Sequence, residues 1–390
     1  DEELSAFWHL PHAGFPRDLL DVQNMHVAAP RNLQLDAIGV KMGVNGVGSR
    51  TRDIFISPGE RTAHTSISGK TSVGKSSLMH SMIHQDIAAG LGVCVFDPKG
   101  DLVRDILQHS IPAEREADVL VLDLSMQLGD TFYPPPLNLF VSGIDADQQS
   151  EATQRLASAF TRVDRNFAEK KMASTLRQAM MAVSYQPNPT VNDVYCLLFD
   201  EEYRQRLIPK IGNDIVRAYW QKFDLRKEQQ QASLTEPLEW RLERLMLNSR
   251  LRAMTCHPQR LNFAKLMSAN KIILISLGNV NNLYPSEEID LIGSALLMQI
   301  DYAARRSSVT KRPFMVYVDE AQQFVDTGLP SMLSQLRSYG IGLVLANQYL
   351  SQLFGETAKA VEGNVGTLVS FEVGHTDARS ISPYFEPQFT

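Results

Sequence analysis

Ser68-Gly69-Lys70-Thr71-Ser72-Val73-Gly74-Lys75-Ser76-Ser77 is the stretch from which the rest of the chain is read. It spells G-x-x-x-x-G-K-S, the pattern of a phosphate-binding loop. Before it runs a β-like segment, His64-Thr65-Ser66-Ile67, and after it a helix-like one, Ser77-Leu78-Met79-His80-Ser81-Met82-Ile83. Strand, glycine loop and helix N-terminus are the context such a loop needs. Gly69 and Gly74 let the backbone turn its N–H groups toward phosphate oxygens. Lys75 is expected to reach the β- and γ-phosphates of ATP, and the Ser76 hydroxyl to hold Mg²⁺. An ordinary glycine turn opening a helix is the plainer alternative, and the complete set of fixed positions argues against it.

Outward from the loop the pattern is β-α-β. Gly92-Val93-Cys94-Val95-Phe96 is an apolar run suited to a buried parallel strand. It ends in Asp97-Pro98-Lys99-Gly100-Asp101, a turn whose Asp101 is placed to cap a helix over Leu102 to Gln108. Further strands are expected at Val119 to Asp123, Lys271 to Leu277, Phe314 to Glu320, Ile341 to Gln348 and Thr367 to Phe371. A helix is expected over roughly Glu287 to Arg306, and another near Leu329 to Ser338.

Between about Asp145 and Arg260 apolar residues recur at helical spacing, as in Leu156, Phe160 and Val163, with no convincing strand. Thr190 is a candidate cap for a helix from Val191 to Leu198, and Gln229-Gln230-Gln231 reads as a loop. The charges Arg155, Arg162, Arg165, Lys170, Lys171 and Arg177 read mostly as a solvated helix face, with a DNA contact there as the minority reading. The expected division is 1–60 as an N-terminal arm with short strands, 61–140 with 261–390 as a nucleotide-binding core, and 141–260 as an inserted all-α domain.

With 390 residues, 44% hydrophobic and 21% charged, the chain is expected to be globular, with one core plus an insertion. Its net charge of −6 means that any nucleic acid must be met by a local basic patch. Cys94, Cys196 and Cys256 lie far apart without metal-ligand spacing and read as buried thiols, which argues against a zinc site. No run is apolar enough to span a membrane, so membrane contact would require a segment ahead of Asp1.

The second half of a hydrolysis site is expected at Asp319-Glu320, which follows an apolar strand. Asp319 is placed to hold Mg²⁺ through a water, and Glu320 to take a proton from the attacking water. A βα turn with a helix cap is the plainer reading of an isolated Asp-Glu pair. Gln348 ends the next strand. If the strands ending in Glu320 and Gln348 flank the loop strand, its amide could contact the γ-phosphate or order the lytic water; otherwise it caps a helix. Arg337 is either an exposed surface arginine or a cation supplied to another subunit's site, and Arg61 and Arg50 are weaker candidates of that kind.

Together these stretches resemble the FtsK/HerA superfamily of ring ATPases, and within it the type IV coupling proteins of the TraG/TraD type. The resemblance is carried by His64 through Ser76, Val95 through Leu102, Pro136-Leu137-Asn138, Tyr317 through Phe324, Leu336 through Gln348 and Gly363 through Thr367. Where the family often has Thr-Gly this chain has Ser72-Val73, and where it often has an arginine before the loop-strand histidine this chain has Ala63.

The resemblance implies an α/β fold, a RecA-like P-loop core around a mostly parallel sheet with an inserted all-α domain. It also implies an ATPase with ATP and Mg²⁺ as cofactors. The phosphate cradle would run over Gly69, Lys70, Thr71, Ser72, Val73, Gly74, Lys75, Ser76 and Ser77, with Ser76 and Asp319 on the metal. Lys75, Glu320, Arg337 and Gln348 would carry the chemistry, Arg337 acting across a subunit interface. The implied function is a hexameric motor that pumps single- or double-stranded DNA through a central channel toward a conjugative type IV secretion channel. Its implied partners are a relaxase and secretion components, and its implied place is the bacterial cytoplasm or the cytoplasmic face of the inner membrane. A HerA-like motor in DNA repair, defence or mobile-element maintenance is the alternative.

Overall fold

A computed structural model describes residues 39–47, 50–128, 131–141, 144–162, 170–278, 284–306, 312–324, 328–349 and 356–384. Residues 1–38 of the arm expected over 1–60, together with Val163 and Arg165, lie outside the described residues, as do the side chains of Arg50, Arg162, Lys170 and Lys171.

The first elements are β1 (Val40–Val47) and β2 (Arg50–Ile56), an antiparallel hairpin. It docks on the helix after the phosphate loop, where the Gln85 side chain accepts from Lys41 N–H (2.8 Å) and donates to its carbonyl (3.0 Å). The chain then alternates strand and helix through β3 (Thr65–Ser68), α1 (Lys75–Ala88), β4 (Gly92–Asp97), α2 (Asp101–His109) and β5 (Val119–Asp123). A small hairpin follows, β6 (Gln127–Leu128) with β7 (Thr131–Phe132).

Seven helices come next: α3 (Ala146–Arg162), α4 (Lys170–Val183), α5 (Val191–Phe199), α6 (Glu201–Leu207), α7 (Asp214–Asp224), α8 (Glu228–Leu247) and α9 (Ser249–Thr255). The alternation resumes with α10 (Phe263–Ser268), β8 (Ile272–Ser276), α11 (Ser286–Arg306), β9 (Phe314–Val318), α12 (Leu329–Gln335) and β10 (Ile341–Asn347). It closes with α13 (Glu356–Asn364), β11 (Thr367–Ser370) and α14 (His375–Ile381).

The large sheet has seven strands in the order β11-β3-β10-β9-β4-β8-β5, and every neighbouring pair is parallel. Parallel strands need helical crossovers, which cover both faces and bury the strands throughout. The five inner strands are buried at every residue, whereas the edge strands β5 and β11 keep half-exposed positions. Met79, Met82, Ile83 and Ile106 from α1 and α2 pack one face against Ile67, Val93 and Tyr317. The other face shares one continuous apolar core with α11 and with the helical segment, whose Leu156, Leu176, Trp220 and Leu242 belong to it.

Four local readings of the sequence need correction. Gln229-Gln230-Gln231 is not a loop but the first turns of α8. Glutamine is a good helix former, and Gln231 caps the preceding helix by donating to the carbonyls of Phe223 (3.1 Å) and Arg226 (3.2 Å). Asp101 does not cap α2 but is its first residue; the Asp97 carboxylate takes the Val103 N–H instead (2.9 Å). Only Cys94 is a fully buried thiol, Cys196 and Cys256 being half-buried. Arg155 is not on a solvated face: it is buried and donates to Asp301 (2.6 Å), which Arg305 also holds (2.9 Å), so α3 is tied to α11.

Arg61 is likewise buried, and so does not stand at an exposed edge. Its guanidinium donates to both Asp86 carboxylate oxygens (3.1 and 2.7 Å) and to the Tyr317 hydroxyl (2.7 Å), and that hydroxyl also donates to Asp86. This closed triad joins the turn before β3, the last turns of helix α1 and strand β9, at the end of β3 away from the phosphate loop. Removing one partner leaves the other charge buried and alone, so Asp86→Ala is expected to destabilise the fold by about 3–5 kcal/mol. Urea unfolding measures this; a loss below about 1 kcal/mol would mean that water reaches the triad.

Candidate active site

The C-terminal edge of the sheet is where loops from neighbouring parallel strands converge. The phosphate loop leaves β3 there and enters α1 at Lys75. Two backbone hydrogen bonds hold it, Gly69 N–H to the Asn347 carbonyl (3.3 Å) and Lys70 N–H to the Glu372 carbonyl (2.8 Å). A Cβ on Gly69 would lie 2.6 Å from the Phe371 side chain, so only glycine fits at that contact. Gly74, at φ +108°, opens α1 without a side-chain cap, which leaves the first-turn N–H groups facing the loop.

Ser72, in the Ser72-Val73 pair that stands where the family often has Thr-Gly, is also left-handed, with φ 64°. A side chain in that region costs about 1–2 kcal/mol. Ser72→Gly is therefore expected to raise stability by roughly 1 kcal/mol with nucleotide binding intact, read by the urea midpoint.

Lys75 is buried, and its ammonium donates to two carbonyls of the loop itself, Gly69 (2.6 Å) and Lys70 (2.8 Å). Burial pushes its pKa down, and the nearby Glu320 and Asp319 charges oppose that shift. Lys70 points elsewhere, paired with Glu372 at 2.5 Å. Thr71, Ser72, Ser76 and Ser77 are exposed at the mouth of the loop, and Val73 is half-buried.

The expectation that the strands ending in Glu320 and Gln348 flank β3 is half right. β10 pairs with β3, but β9 lies beyond β10, so β10 separates the phosphate-loop strand from the strand before Asp319. The tip of β10 thereby carries Gln348 in between, and its amide donates to Glu320 Oε1 (2.9 Å). Gln322 donates to Oε2 (2.8 Å) and Lys99 to Oε1 (2.9 Å). Glu320 itself has φ 46°, a left-handed conformation that turns the chain sharply after β9. Burial raises the Glu320 pKa, but the hydrogen bonds from Gln348, Lys99 and Gln322 outweigh it and hold the carboxyl below its usual range. Asp319 is raised, by burial and then by the Glu320 charge.

Ser76, Asp319, Asp97 and Lys99 line one cavity of about 340 Å³. Hydroxyl and carboxylate oxygens suit a hard cation such as Mg²⁺, which is typically held by one or two protein oxygens plus phosphates and water. Among the described residues no group of three or more His, Cys, Asp or Glu side chains could hold a metal ion by itself. Open N–H groups at α1, a lysine turned onto loop carbonyls and this oxygen set fit a magnesium-bound nucleoside triphosphate.

Two predicted residues stand apart from this cluster. Arg337 lies on the turn Leu336–Tyr339 just before β10, exposed, at the opposite edge of the sheet. The length of β10 separates the two edges by about 20 Å. Arg61 is locked into the triad described above. Conversely, Lys99 and Gln322 reach Glu320 although the sequence reading assigned them no role; both sit in stretches that carry the family resemblance, which was the available signal.

His64 immediately precedes β3, at the edge of the sheet where Arg337 lies. Its Nδ1 accepts the Leu343 N–H (3.0 Å), so Nε2 carries the proton and donates to the Leu333 carbonyl (3.0 Å) on α12. Burial first, and then the Arg337 charge, hold its pKa down to about 4, against a backbone hydrogen bond that raises it. The unfolded imidazole takes its proton near pH 6.5, well above the folded one, so the unfolded state binds more protons between these values. Stability is therefore full above pH 6.5 and falls as pH drops toward 4, by up to about 3 kcal/mol. Urea midpoints across this window should show that slope, and His64→Asn should flatten it.

Among the described residues no helix is long and apolar enough to cross a membrane. No curated protein matches the sequence. Among solved structures, the chain is similar to plasmid coupling protein TrwB with a non-hydrolysable GTP analogue, at 15% identity and TM-score 0.60, covering 86% of this chain and 76% of that one. TrwB with ADP and Mg²⁺ gives 14% identity and TM-score 0.59 over 85% and 76% of the two chains. VirB4 of Thermoanaerobacter pseudethanolicus gives 15% and 0.62 over 90% and 88%. These likenesses show the RecA-like P-loop fold. The family model for the TraM recognition site of TraD and TraG matches residues 313–385, and that for helicase HerA, central domain, matches residues 53–300. With that second match spanning more than half its length, the chain belongs to the HerA helicase central-domain family of P-loop NTPases.

Proposed function

We propose that this NTPase hydrolyses ATP with Mg²⁺ to move DNA, as a coupling protein feeding a type IV secretion channel. The observation that carries the hydrolysis is the Glu320 carboxylate, buried beside Asp319 and oriented by Gln348 and Gln322 at the same sheet edge as the phosphate loop. Glu320 accepts a proton from the attacking water, Gln348 orients that water and senses the third phosphate, and Lys75 neutralises phosphate charge. Ser76 and Asp319 would hold the metal, which would supply electrostatic stabilisation of the phosphates.

Arg337 supports a ring. It faces outward at the edge its own nucleotide does not occupy, as a cation serving a neighbouring subunit does. The subunits form a homo-oligomer, a hexamer in this reading, with DNA in the central channel and residues 141–260 as a recognition domain for relaxase or secretion components. The match of residues 313–385 to a TraM recognition region favours this over a HerA-like motor in repair or defence.

The test is ATP turnover measured alongside oligomer mass, each with and without DNA. DNA-stimulated turnover together with a six-subunit mass is the expected result. Protein that binds ATP yet hydrolyses none of it in the presence of DNA would remove the motor reading.

A further inference from the structure

Lys99 sits on a turn whose backbone is pinned while its side chain is not. The Asp97 carboxylate takes the Lys99 N–H (2.9 Å) and the Val103 N–H (2.9 Å), closing the turn between β4 and α2. Gly100 adopts φ +83°, and Gly278 packs so closely that a Cβ on it would lie 2.7 Å from the Lys99 carbonyl. From this fixed base the side chain reaches Glu320 Oε1 at 2.9 Å. The two partners are unequal: the Lys99 side chain is 53% exposed and that of Glu320 only 4%.

Charge balance in the cavity gives the pairing a purpose. Asp97, Asp101, Asp105 and Asp319 line the cavity where a triphosphate must sit, and Glu320, Asp319 and Asp97 are the negative charges that act on Lys99. Lys70 is committed to Glu372, and Lys75 to the Gly69 and Lys70 carbonyls of the loop. A half-exposed lysine held by one carboxylate exchanges partners at little cost, and a phosphate oxygen is a strong acceptor for it.

We propose that Lys99 is a ligand of the terminal phosphate which, without nucleotide, rests on Glu320. When a triphosphate enters, the ammonium crosses to it. Glu320 then keeps Gln348 and Gln322 as its donors and has Oε1 opened toward water. A diphosphate leaves Lys99 where it is, so the residue distinguishes ATP from ADP and exposes the base only in the ATP state. This rests on the ATPase reading above.

The test is equilibrium binding of ADP and of a non-hydrolysable ATP analogue, with Mg²⁺, to the full chain. Lys99→Met is expected to weaken the triphosphate about tenfold or more while ADP changes by less than about twofold. Unchanged ADP binding also reports an intact fold. Lys99→Arg should stay near the wild type, and the tenfold loss should persist when Lys99→Met is combined with Glu320→Gln. Equal losses for both nucleotides, no loss for either, or a loss that disappears in the Glu320→Gln background would each overturn the proposal. Wild-type protein that binds neither nucleotide would instead overturn the ATPase reading.

Discussion

Glu320→Gln is expected to cut ATP turnover by about a thousandfold while leaving nucleotide affinity within about threefold of the wild type. The amide keeps the size of the side chain and one carbonyl oxygen, so the donors Gln348 and Lys99 retain an acceptor. What it loses is the capacity to take a proton. The carboxyl is held below its usual range by those donors, against its own burial, so it is ionised at neutral pH and ready to accept one. Single-turnover hydrolysis with a separate binding titration separates the two effects. A variant that turns over within about tenfold of the wild type would take the general base away from Glu320.

Arg337→Ala is expected to have an effect of similar size through a different subunit. A cation offered to developing negative charge in phosphoryl transfer is worth about a thousandfold or more. The side chain is exposed, so its loss should change monomer stability by less than about 0.5 kcal/mol. Because it lies at the edge opposite its own phosphate loop, it and Glu320 should belong to different sites. Mixing Arg337→Ala subunits with Glu320→Gln subunits then rebuilds complete sites wherever a Glu320→Gln subunit offers its arginine to an Arg337→Ala neighbour. Random mixing gives such pairs at about a quarter of the interfaces, and turnover should reappear accordingly. Mixtures as inactive as either variant alone would return Arg337 to a role within one subunit.

The buried strands were legible because a parallel strand covered on both faces reads as an unbroken apolar run, as in Ile341 to Asn347. The phosphate loop was legible because its backbone conformation demands glycine at fixed spacing, and Gly69 indeed has no room for a side chain. Charged residues were the weak point. Arg61 and Arg155 look like surface arginines in the sequence, yet Asp86 and Asp301, distant in the chain, neutralise them in the interior. Lys99 reads as part of a motif without a role of its own, since its partner Glu320 lies 221 positions away.

The sequence by itself determined most element types and the pattern of the phosphate loop, and it singled out Asp319-Glu320 as a candidate acid pair, because these depend on local periodicity, backbone freedom and residue chemistry. Tertiary structure decided the strand order, with β10 between β3 and β9, and so brought Gln348 onto Glu320. It also sent Arg337 to the far edge and laid Lys99 on Glu320. Such outcomes depend on which strands pair and which charges find partners across the sheet, and those choices are set by packing over the whole chain, not by neighbours in sequence.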